Sequence, residues 1–591
     1  MPSLGRNQFG VMILSWFLKE QQQQILAQEQ GAMVYAPGSR HGFALVYPNT
    51  YHVGMSNLGF HIIYQQVNLR GDTACERFFL PDARMRQEYI RTNTPLLSLE
   101  TQRPLYEFPL IGFAISFEMD YFHMLDILMQ GKVPLLAAER EDKDPLVIIG
   151  GPCATFNPEP VADFVDMCII GEGEEVIQEL LDQYYQGRSQ ALSREQILRN
   201  LAQIDGVYVP RFYQPEYDPE GRIRQFHLQS EVPAKINRRW VKKIDAYPAQ
   251  TVVSTEHTEF KDMYLVELAR GCGRHCRFCM AGYCFRRPRV RSLDKVMTAV
   301  REAKRFKGKV GLMGAAISDY PDIDTLCRFI LEQDMKMSVA SLRADSLTEP
   351  LVKALAASGQ KTVTLAPEAG SERMRRIINK GLSDRQLYDA VSLAIHAGIP
   401  NVRFYIMVGL PFEEEEDVAA IIAMADRVKK YMEQLGSKGR LTLSINPFIP
   451  KPFTPFQWVP MAPLDVVEAR LRTIQKQCRS LKGIEILVES PREAYIQGVL
   501  ARGDRRLSAV LLSAQQKGGS KGFKAAMKEQ GLEESFYLYR ERKTDETLPW
   551  SLLNMGLSPD YLQQELARAG REEATAPCQA GCKRCGVCSD E

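Results

Sequence analysis

The sequence has no apolar run that would cross a bilayer. The stretch FGVMILSWFL at 9–18 has ten residues, where a span needs about 20. With KEQQQQILAQEQ behind it, it reads as an amphipathic surface helix or an extended start. No secretory signal is read at the N-terminus. One-signed charge is also missing: 74 Lys and Arg against 72 Asp and Glu leave +2. A general electrostatic attraction to nucleic acid or membrane is thereby excluded, and KGGSKGFKAAMK is at most a local basic patch. No internal repeat is found, and QQQQ is the low-complexity run.

What the chain does have is cysteine, 13 in all. In an unsignalled chain of this size a reducing cytoplasm with metal-bound thiolates is expected, not disulfides. Cys75, Cys153, Cys168, Cys327 and Cys478 stand singly in apolar or helical surroundings and are expected in the core. The rest crowd into GCGRHCRFCMAGYC (271–284) and CQAGCKRCGVC (578–588).

The length calls for several domains. Residues 1–40 read as an extension. In 41–205, FALVYP, LIGFAISF, PLVIIGG and MCIIGEGE are apolar runs followed by helical segments, the pattern of a doubly wound parallel sheet. Ligands bind such sheets at the carboxyl ends of the strands. That rim carries Gly150, Gly151 and Thr155 on one loop and Gly171 and Gly173 on the next. Residues 206–255, with DPEG as a turn, read as a hairpin linker. Residues 256–482 alternate again: MYLVELA, KVGLMGA, MSVASL, TVTLAPE, VRFYIMVGL and LTLSINPFI are six strands with helices between them, a partial (β/α)6 barrel with its site at the C-terminal rim. Residues 483–591 read as mainly helical, ending in the second cysteine group. The fold class is α/β.

Cys272, Cys276 and Cys279 follow a C-x3-C-x2-C spacing in the loop after the first barrel strand. Three thiolates suit three irons of a 4Fe–4S cubane and leave the fourth iron open, whereas a purely structural site would use four. Zinc would take Cys284 or His275 as a fourth ligand. The tail set Cys578, Cys582, Cys585 and Cys588 can close a site by itself, for a second iron–sulfur cluster or for zinc. FRRPRVRS (285–292) offers an arginine to a carboxylate or phosphate, or is a solvated basic loop. Its Ser292 would cap the next helix.

The cysteine loop after strand one, followed by βα repeats, resembles the radical S-adenosylmethionine (radical SAM) superfamily over about residues 262–460. The resemblance implies that Cys272, Cys276 and Cys279 hold a 4Fe–4S cluster whose open iron binds S-adenosylmethionine. It also implies reductive cleavage of that cofactor to a 5′-deoxyadenosyl radical, with a flavodoxin or ferredoxin as reductant. Phe278 stands as the aromatic before the third cysteine. Gly314 in LMGAAISD stands where the family has a glycine-rich segment near the methionine amino group, although the paired Gly-Gly-Glu is missing. Glu368 and Ser371 in APEAGSER stand near the ribose, and Gly409 in IMVGLPFE beside adenine.

A doubly wound domain ahead of such a barrel resembles the cobalamin-binding class. Here NTYHVGMSNLG replaces Asp-x-His-x-x-Gly, and His52 lies at the wrong spacing to ligate cobalt. YPNTYHVGMSNLGF, NPFIPKPFTPFQW and SPREAYIQGVLARGDRRL carry a closer likeness to an uncharacterised subfamily with a B12-binding-like domain and a cysteine tail. The expected activity is cobalamin-dependent methyl transfer to an unactivated carbon. The alternatives are a cobalamin-independent radical enzyme, for methylthiolation or another radical modification, that uses the tail cluster, and a non-catalytic metal scaffold. The substrate could be RNA, protein or a small molecule.

Overall fold

Apolar, β-branched segments set the frame. In the computed structural model, which describes residues 15–579 and 581–588, the chain divides into two units. The first comprises residues up to 241 with 251–261 and 504–530, and the second comprises 242–250, 262–503 and 531 onward.

In the first unit, β1 (His41–Tyr47), β2 (Thr73–Phe79), β3 (Leu110–Ala114), β4 (Leu146–Gly150), β5 (Met167–Ile169) and β6 (Val207–Tyr208) form one sheet in the order β2-β1-β3-β4-β5-β6. All neighbours are parallel except the antiparallel β5–β6 pair. The order 2-1-3-4-5 is the flavodoxin-like doubly wound order, whose crevice opens where β1 and β3 diverge. Strand β2 is absent from the sequence reading because TACERFF carries Glu76 and Arg77. Both are buried. Arg77 donates to Glu29 (2.6 and 2.9 Å) and to Glu100 (2.6 Å), two carboxylates whose side chains are fully buried. A buried guanidinium is tolerable only when paired in this way. Helix Trp16–Ala27 leads into this unit; residues 1–14 of the apolar start lie outside the described residues.

The DPEG turn closes a hairpin of β7 (Tyr213–Tyr217) and β8 (Ile223–Leu228). Asp218 accepts from the Arg222 amide at 2.8 Å, and Gly221 takes φ +82°.

The second unit holds β9 (Tyr264–Glu267), β10 (Lys309–Met313) and β11 (Lys336–Val339), then β12 (Thr362–Glu368), β13 (Asn401–Val408), β14 (Leu441–Pro447) and β15 (Ile484–Val488). These make a three-stranded and a four-stranded parallel sheet, joined by a parallel bridge between Leu342 and Leu365. The six expected strands are present, and β15, a half-buried edge read as part of the helical C-terminal region, adds a seventh. Helices pack on the outer face. Helix Glu415–Gln434 buries Val418, Ile421, Ala425, Val428 and Met432, and its EEED first turn sits at the positive end of the helix dipole. Residues 504–530, numbered with the C-terminal region in the sequence, group with the first unit: Arg505 donates to buried Glu159 at 3.0 and 3.1 Å. The five lone cysteines are all buried. In PFIPKPFTPFQW the aromatics Phe448, Phe453, Phe456 and Trp458 are buried, so the segment is packing material. No helix among the described residues is long and apolar enough to cross a membrane.

Candidate functional site

The cysteine loop leaves β9 at the C-terminal rim of the barrel strands. Gly271 has φ +78°, and a side chain there would meet the Phe285 carbonyl at 2.1 Å, so only glycine lets the loop close on itself. The Cys279 amide then donates to Cys276 O (3.1 Å) and the Gly282 amide to Cys279 O (3.2 Å). The three thiols are thereby gathered within each other's electrostatic reach. Burial, and then the neighbouring Cys276, push the Cys272 thiol up; burial, Cys276 and Cys272 push Cys279 up to about 12. Three sulfurs that oppose one another's ionisation form a soft donor set completed by positive charge, which fits an iron–sulfur cluster. Among the described residues, no three Cys, His, Asp or Glu side chains form a group that could hold a metal ion.

Other rim residues converge on this loop. Phe278 packs against an apolar cluster that contains Ala369 after β12, Leu410 after β13 and Phe448 after β14, so the cluster ties the cysteine loop to three strand ends. Glu368, at the end of β12, adopts φ +67° and accepts from Lys380 at 3.1 Å. Burial opposes the Lys380 charge, but Glu368 and then the Cys276 thiol outweigh it and hold the ammonium above its usual range. Ser371 is occupied structurally: it caps helix Glu372–Ile377 by accepting from the Met374 amide (3.0 Å) and donates to Asp417 (2.5 Å). Gly409 has φ +83°, and its amide donates to Glu413 at 2.7 Å. Gly314 faces Ile317 and the Ala269 carbonyl, 3.1 and 3.3 Å from where a side chain would begin.

Sequence reasoning missed Arg274, Asp319, Arg343 and Asp345. Arg274 clamps Asp319 with two bonds (2.6 and 2.8 Å) and reaches Asp345 at 3.1 Å, and Arg343 donates to Asp345 at 2.9 and 3.0 Å. These four residues come from three separate loops, and no local pattern announces them.

The reading of FRRPRVRS as a solvated basic loop does not hold for three of its arginines. Its Arg286, Arg289 and Arg291 are buried, and Arg291 donates to Glu267 (2.6 Å) and to the Ile244 and Tyr247 carbonyls. Ser292 occupies the N-cap position of helix Leu293–Ala303 without a side-chain cap bond. Arg286 donates to His275 Nδ1 at 2.7 Å, and Tyr561 bonds the same nitrogen. With Nδ1 accepting from a guanidinium, the proton sits on Nε2, so the imidazole is no zinc ligand. Burial, then Arg286, lower its pKa to about 3.

The tail lies along this loop. The Cys578 amide donates to Gly273 O at 2.7 Å. Asn379 bonds Thr575 in both directions (2.8 and 3.1 Å) and donates to His275 O at 3.1 Å. Buried Arg277 donates to Glu565 (3.1 Å), Glu573 O (2.7 Å) and Ile377 O (2.8 Å). Burial pushes the Cys578 thiol up, and Cys582, Cys585 and Cys588 add to this.

In the first unit, four of the five residues singled out on the rim have close contacts within the chain. A side chain on Gly171 would meet the Arg239 carbonyl at 2.0 Å, one on Gly151 the Ile115 carbonyl at 2.7 Å, and one on Gly173 the Ile63 side chain at 2.6 Å. Thr155 accepts from the Gly171 amide and donates to Gly151 O, both at 3.0 Å. Gly150 alone of the four glycines faces no close atom, the nearest being Ile169 Cβ at 3.9 Å. Gly151, Gly171, Gly173 and Thr155 thus have contacts within the chain, and Gly150 stays open. The β1–β3 crevice is lined by other polar groups: Asn49 donates to Asp120 (3.0 Å), Asn57 to Ser116 (3.2 Å), and His123 bonds Pro48 O (3.0 Å) and Asp120 (3.2 Å). His52, half exposed, faces Glu259 at 3.4 Å.

Comparison with known proteins follows the same division. The family profile described as "Radical SAM proteins, N-terminal" matches residues 59–210, and that described as "Radical SAM superfamily" matches 266–425. An uncharacterized protein of Methanocaldococcus jannaschii is 29% identical over 473 residues, 79% of this chain and 90% of its own length. An uncharacterized methyltransferase of Pyrococcus horikoshii is 26% identical over 307 residues, 49% of this chain and 60% of its own. Among solved structures, the cobalamin-dependent S-adenosylmethionine radical enzyme OxsB, with aqua-cobalamin and S-adenosylmethionine bound, is similar at 11% identity and a TM-score of 0.44, covering 90% of this chain and 79% of that one.

Proposed function

We propose that this chain, which belongs to the radical SAM superfamily, cleaves S-adenosylmethionine at Cys272, Cys276 and Cys279 and uses the radical to modify an unactivated C–H bond. The observation that carries this reading is the cysteine loop itself, closed at Gly271 on the rim of the barrel strands, with its Phe278 packed against the apolar cluster that lies at three strand ends. A 4Fe–4S cluster held there supplies the electron that splits the cofactor into methionine and a 5′-deoxyadenosyl radical. The chain's own residues do the rest. Lys380 and Arg343 place positive charge beside Cys276, offsetting the thiolates. Lys380 also holds the Glu368 carboxylate at the ribose position, and the Gly409 turn, pinned by Glu413, presents backbone to the adenine. Phe278 and Leu410 keep water from that side.

For the substrate, the proposed outcome is methyl transfer to carbon with cobalamin as methyl carrier. The β1–β3 crevice and the methyltransferase name of the P. horikoshii relative support it. A corrinoid would use that crevice, beside the open Gly150. No step of the cleavage depends on it. The cobalamin-independent reading gains support from the tail, which is bonded directly to the cysteine loop. We assign the reductant to the flavodoxin or ferredoxin class, the compartment to the cytoplasm, and the substrate to RNA, protein or a small molecule.

The test is anaerobic reconstitution, with iron, sulfide and corrinoid analysis and assay of 5′-deoxyadenosine under dithionite. Replacing Cys272, Cys276 and Cys279 together by Ala should lower product formation at least a hundredfold while S-adenosylmethionine is in excess. Cleavage at the wild-type rate in that variant would refute the proposal. Stoichiometric corrinoid uptake selects the methyl-transfer reading, and none selects the cobalamin-independent one.

A further inference from the structure

The inner face of the barrel is polar where a filled barrel would be apolar. On β13, Val402, Phe404, Ile406 and Val408 belong to the core shared with the outer helices. Strand alternation therefore turns Arg403, Tyr405 and Met407 inward, all three half-buried. By the same rule β14, whose Leu443 and Ile445 are core residues, turns Ser444 and Asn446 inward, and β11 turns Ser338. A packed barrel fills such positions with bulky branched side chains. Two polar atoms on this face, Arg403 Nε and Asn446 Oδ1, are buried and have no hydrogen-bond partner among the described residues. The Arg403 guanidinium as a whole forms no hydrogen bond and no ion pair among them. The carboxylate in its row of the sheet, Glu485 on β15, accepts from Thr442 at 3.3 Å and lies 3.8 Å from Arg440. At the rim, Glu267 is held by Arg270 and Arg291, and Glu368 by Lys380. An enclosed cation without a counter-ion is costly, and a bound anion removes that cost.

The position suits a substrate and not the cofactor. Met407 packs on the apolar cluster that also receives Phe278 of the cysteine loop. Arg403 precedes it by four residues, about 13 Å along the strand, and so lies deep in the barrel. Tyr405 and Ser444, paired in register, stand between the two levels, and Asn446 is in register with Met407 at the upper one. We infer that the barrel interior binds a small molecule carrying an anionic group, a phosphate or a carboxylate, which the planar N–H fork of Arg403 takes up. The Asn446 amide bonds the other end of the same molecule, and the part between them is presented beneath the cysteine loop. A barrel of this size has room for side chains and one small ligand, so among the substrate classes it is the small molecule that fits. The substrate role rests on the radical SAM reading; the anion site does not.

The test uses the full chain, reconstituted without oxygen and left unreduced, with S-adenosylmethionine in excess so that the cofactor's own position is filled. Inorganic phosphate and acetate are the probes, each compared with chloride at constant ionic strength. One of them should raise the thermal midpoint of wild type: phosphate if the substrate is a phosphate ester, acetate if it is a carboxylate. Arg403→Gln should weaken the affinity for that probe, read by calorimetry, by about tenfold or more. Arg403→Lys should weaken it less, because it keeps the charge and loses only the fork. Without a probe, Arg403→Gln should melt no lower than wild type, since it removes a charge that has no partner. A lower midpoint, or failure to fold, would make Arg403 a structural residue and overturn the inference. So would a wild type that responds to neither probe, or one that binds the probe no better than Arg403→Gln does. Either result leaves the radical SAM reading intact where wild type forms 5′-deoxyadenosine under dithionite. Arg403-dependent binding in a wild type that forms none overturns the radical SAM reading, and the substrate role with it, and keeps the anion site.

Discussion

Replacing Glu565 by Gln should detach the C-terminal tail from the cysteine loop. Arg277 and Glu565 are both essentially unexposed and 3.1 Å apart. Thr575 donates to both Glu565 oxygens at 2.8 Å. In the variant, Arg277 keeps the carbonyls of Arg376, Ile377 and Glu573 as acceptors, but none of them carries a net charge. Breaking a buried pair by neutralising one partner costs about 3–5 kcal/mol. The retained carbonyl bonds place this case at the lower end, about 3 kcal/mol. At about 1.4 kcal/mol per decade, that is roughly a hundredfold rise in local opening. Amide hydrogen exchange reads it directly. The Thr575 amide, bonded to Asn379 at 2.8 Å, and the Cys578 amide, bonded to Gly273 at 2.7 Å, should lose about two decades of protection, while amides in β13 keep theirs. The double variant Arg277→Met/Glu565→Leu should be less damaged than the sum of the two single variants, by about 1 kcal/mol or more. Protection of Thr575 and Cys578 within about threefold of wild type in a folded Glu565→Gln protein would refute the reasoning.

Gly370→Ala should destabilise the second unit by about 3 kcal/mol or more, because the new methyl would lie 2.2 Å from the Ile421 amide nitrogen in a helix backbone that cannot turn aside; a thermal midpoint unchanged from wild type would contradict this. His61 supplies a pH dependence. It is fully buried, accepts from the Val252 amide (3.3 Å) and bonds Met55 O (3.0 Å), and burial lowers its pKa from 6.5 to about 4. The unfolded chain binds the proton first, so stability falls as pH drops from 6.5 to about 4. The total loss is about 3 kcal/mol, fully regained above pH 6.5. Urea titrations across that range should show the slope in wild type and a shallower one in His61→Gln, and equal slopes would exclude His61 as its source.

How much was legible beforehand differs between fold and site. A strand such as LVIIG is apolar on both faces, and that composition alone marks a buried parallel strand wherever it lies. Strand β2 escaped because its Glu76 and Arg77 read as surface residues; Arg77 is buried against Glu29, which lies 48 positions earlier. The seventh barrel strand escaped because IEILV, at an edge, alternates only weakly. At the site, the three cysteines are recognisable from spacing, since their loop is local, and Phe278 from the family resemblance. Lys380, Arg343 and Asp345 are not, because each meets the loop only across the fold. The rim glycines of the first unit were legible as glycines but not in their purpose. The sequence shows that a side chain is missing at 171, and only the structure shows that Arg239 is what comes close there.

By itself, the sequence determined which residues can bear chemistry: thiols in a three-plus-four division, glycines that permit tight loops, and alternating segments that place those loops at strand ends. These are properties of neighbours in the chain, governed by local backbone sterics and donor chemistry. Only the tertiary structure decided that the two cysteine groups, separated by some three hundred residues, are one assembly. The contacts that join them, Cys578 to Gly273, Asn379 to Thr575 and Arg277 to Glu565, are long-range hydrogen bonds and a buried charge pair. Such contacts depend on desolvation and on partners brought together by folding, and no pattern within the chain encodes them.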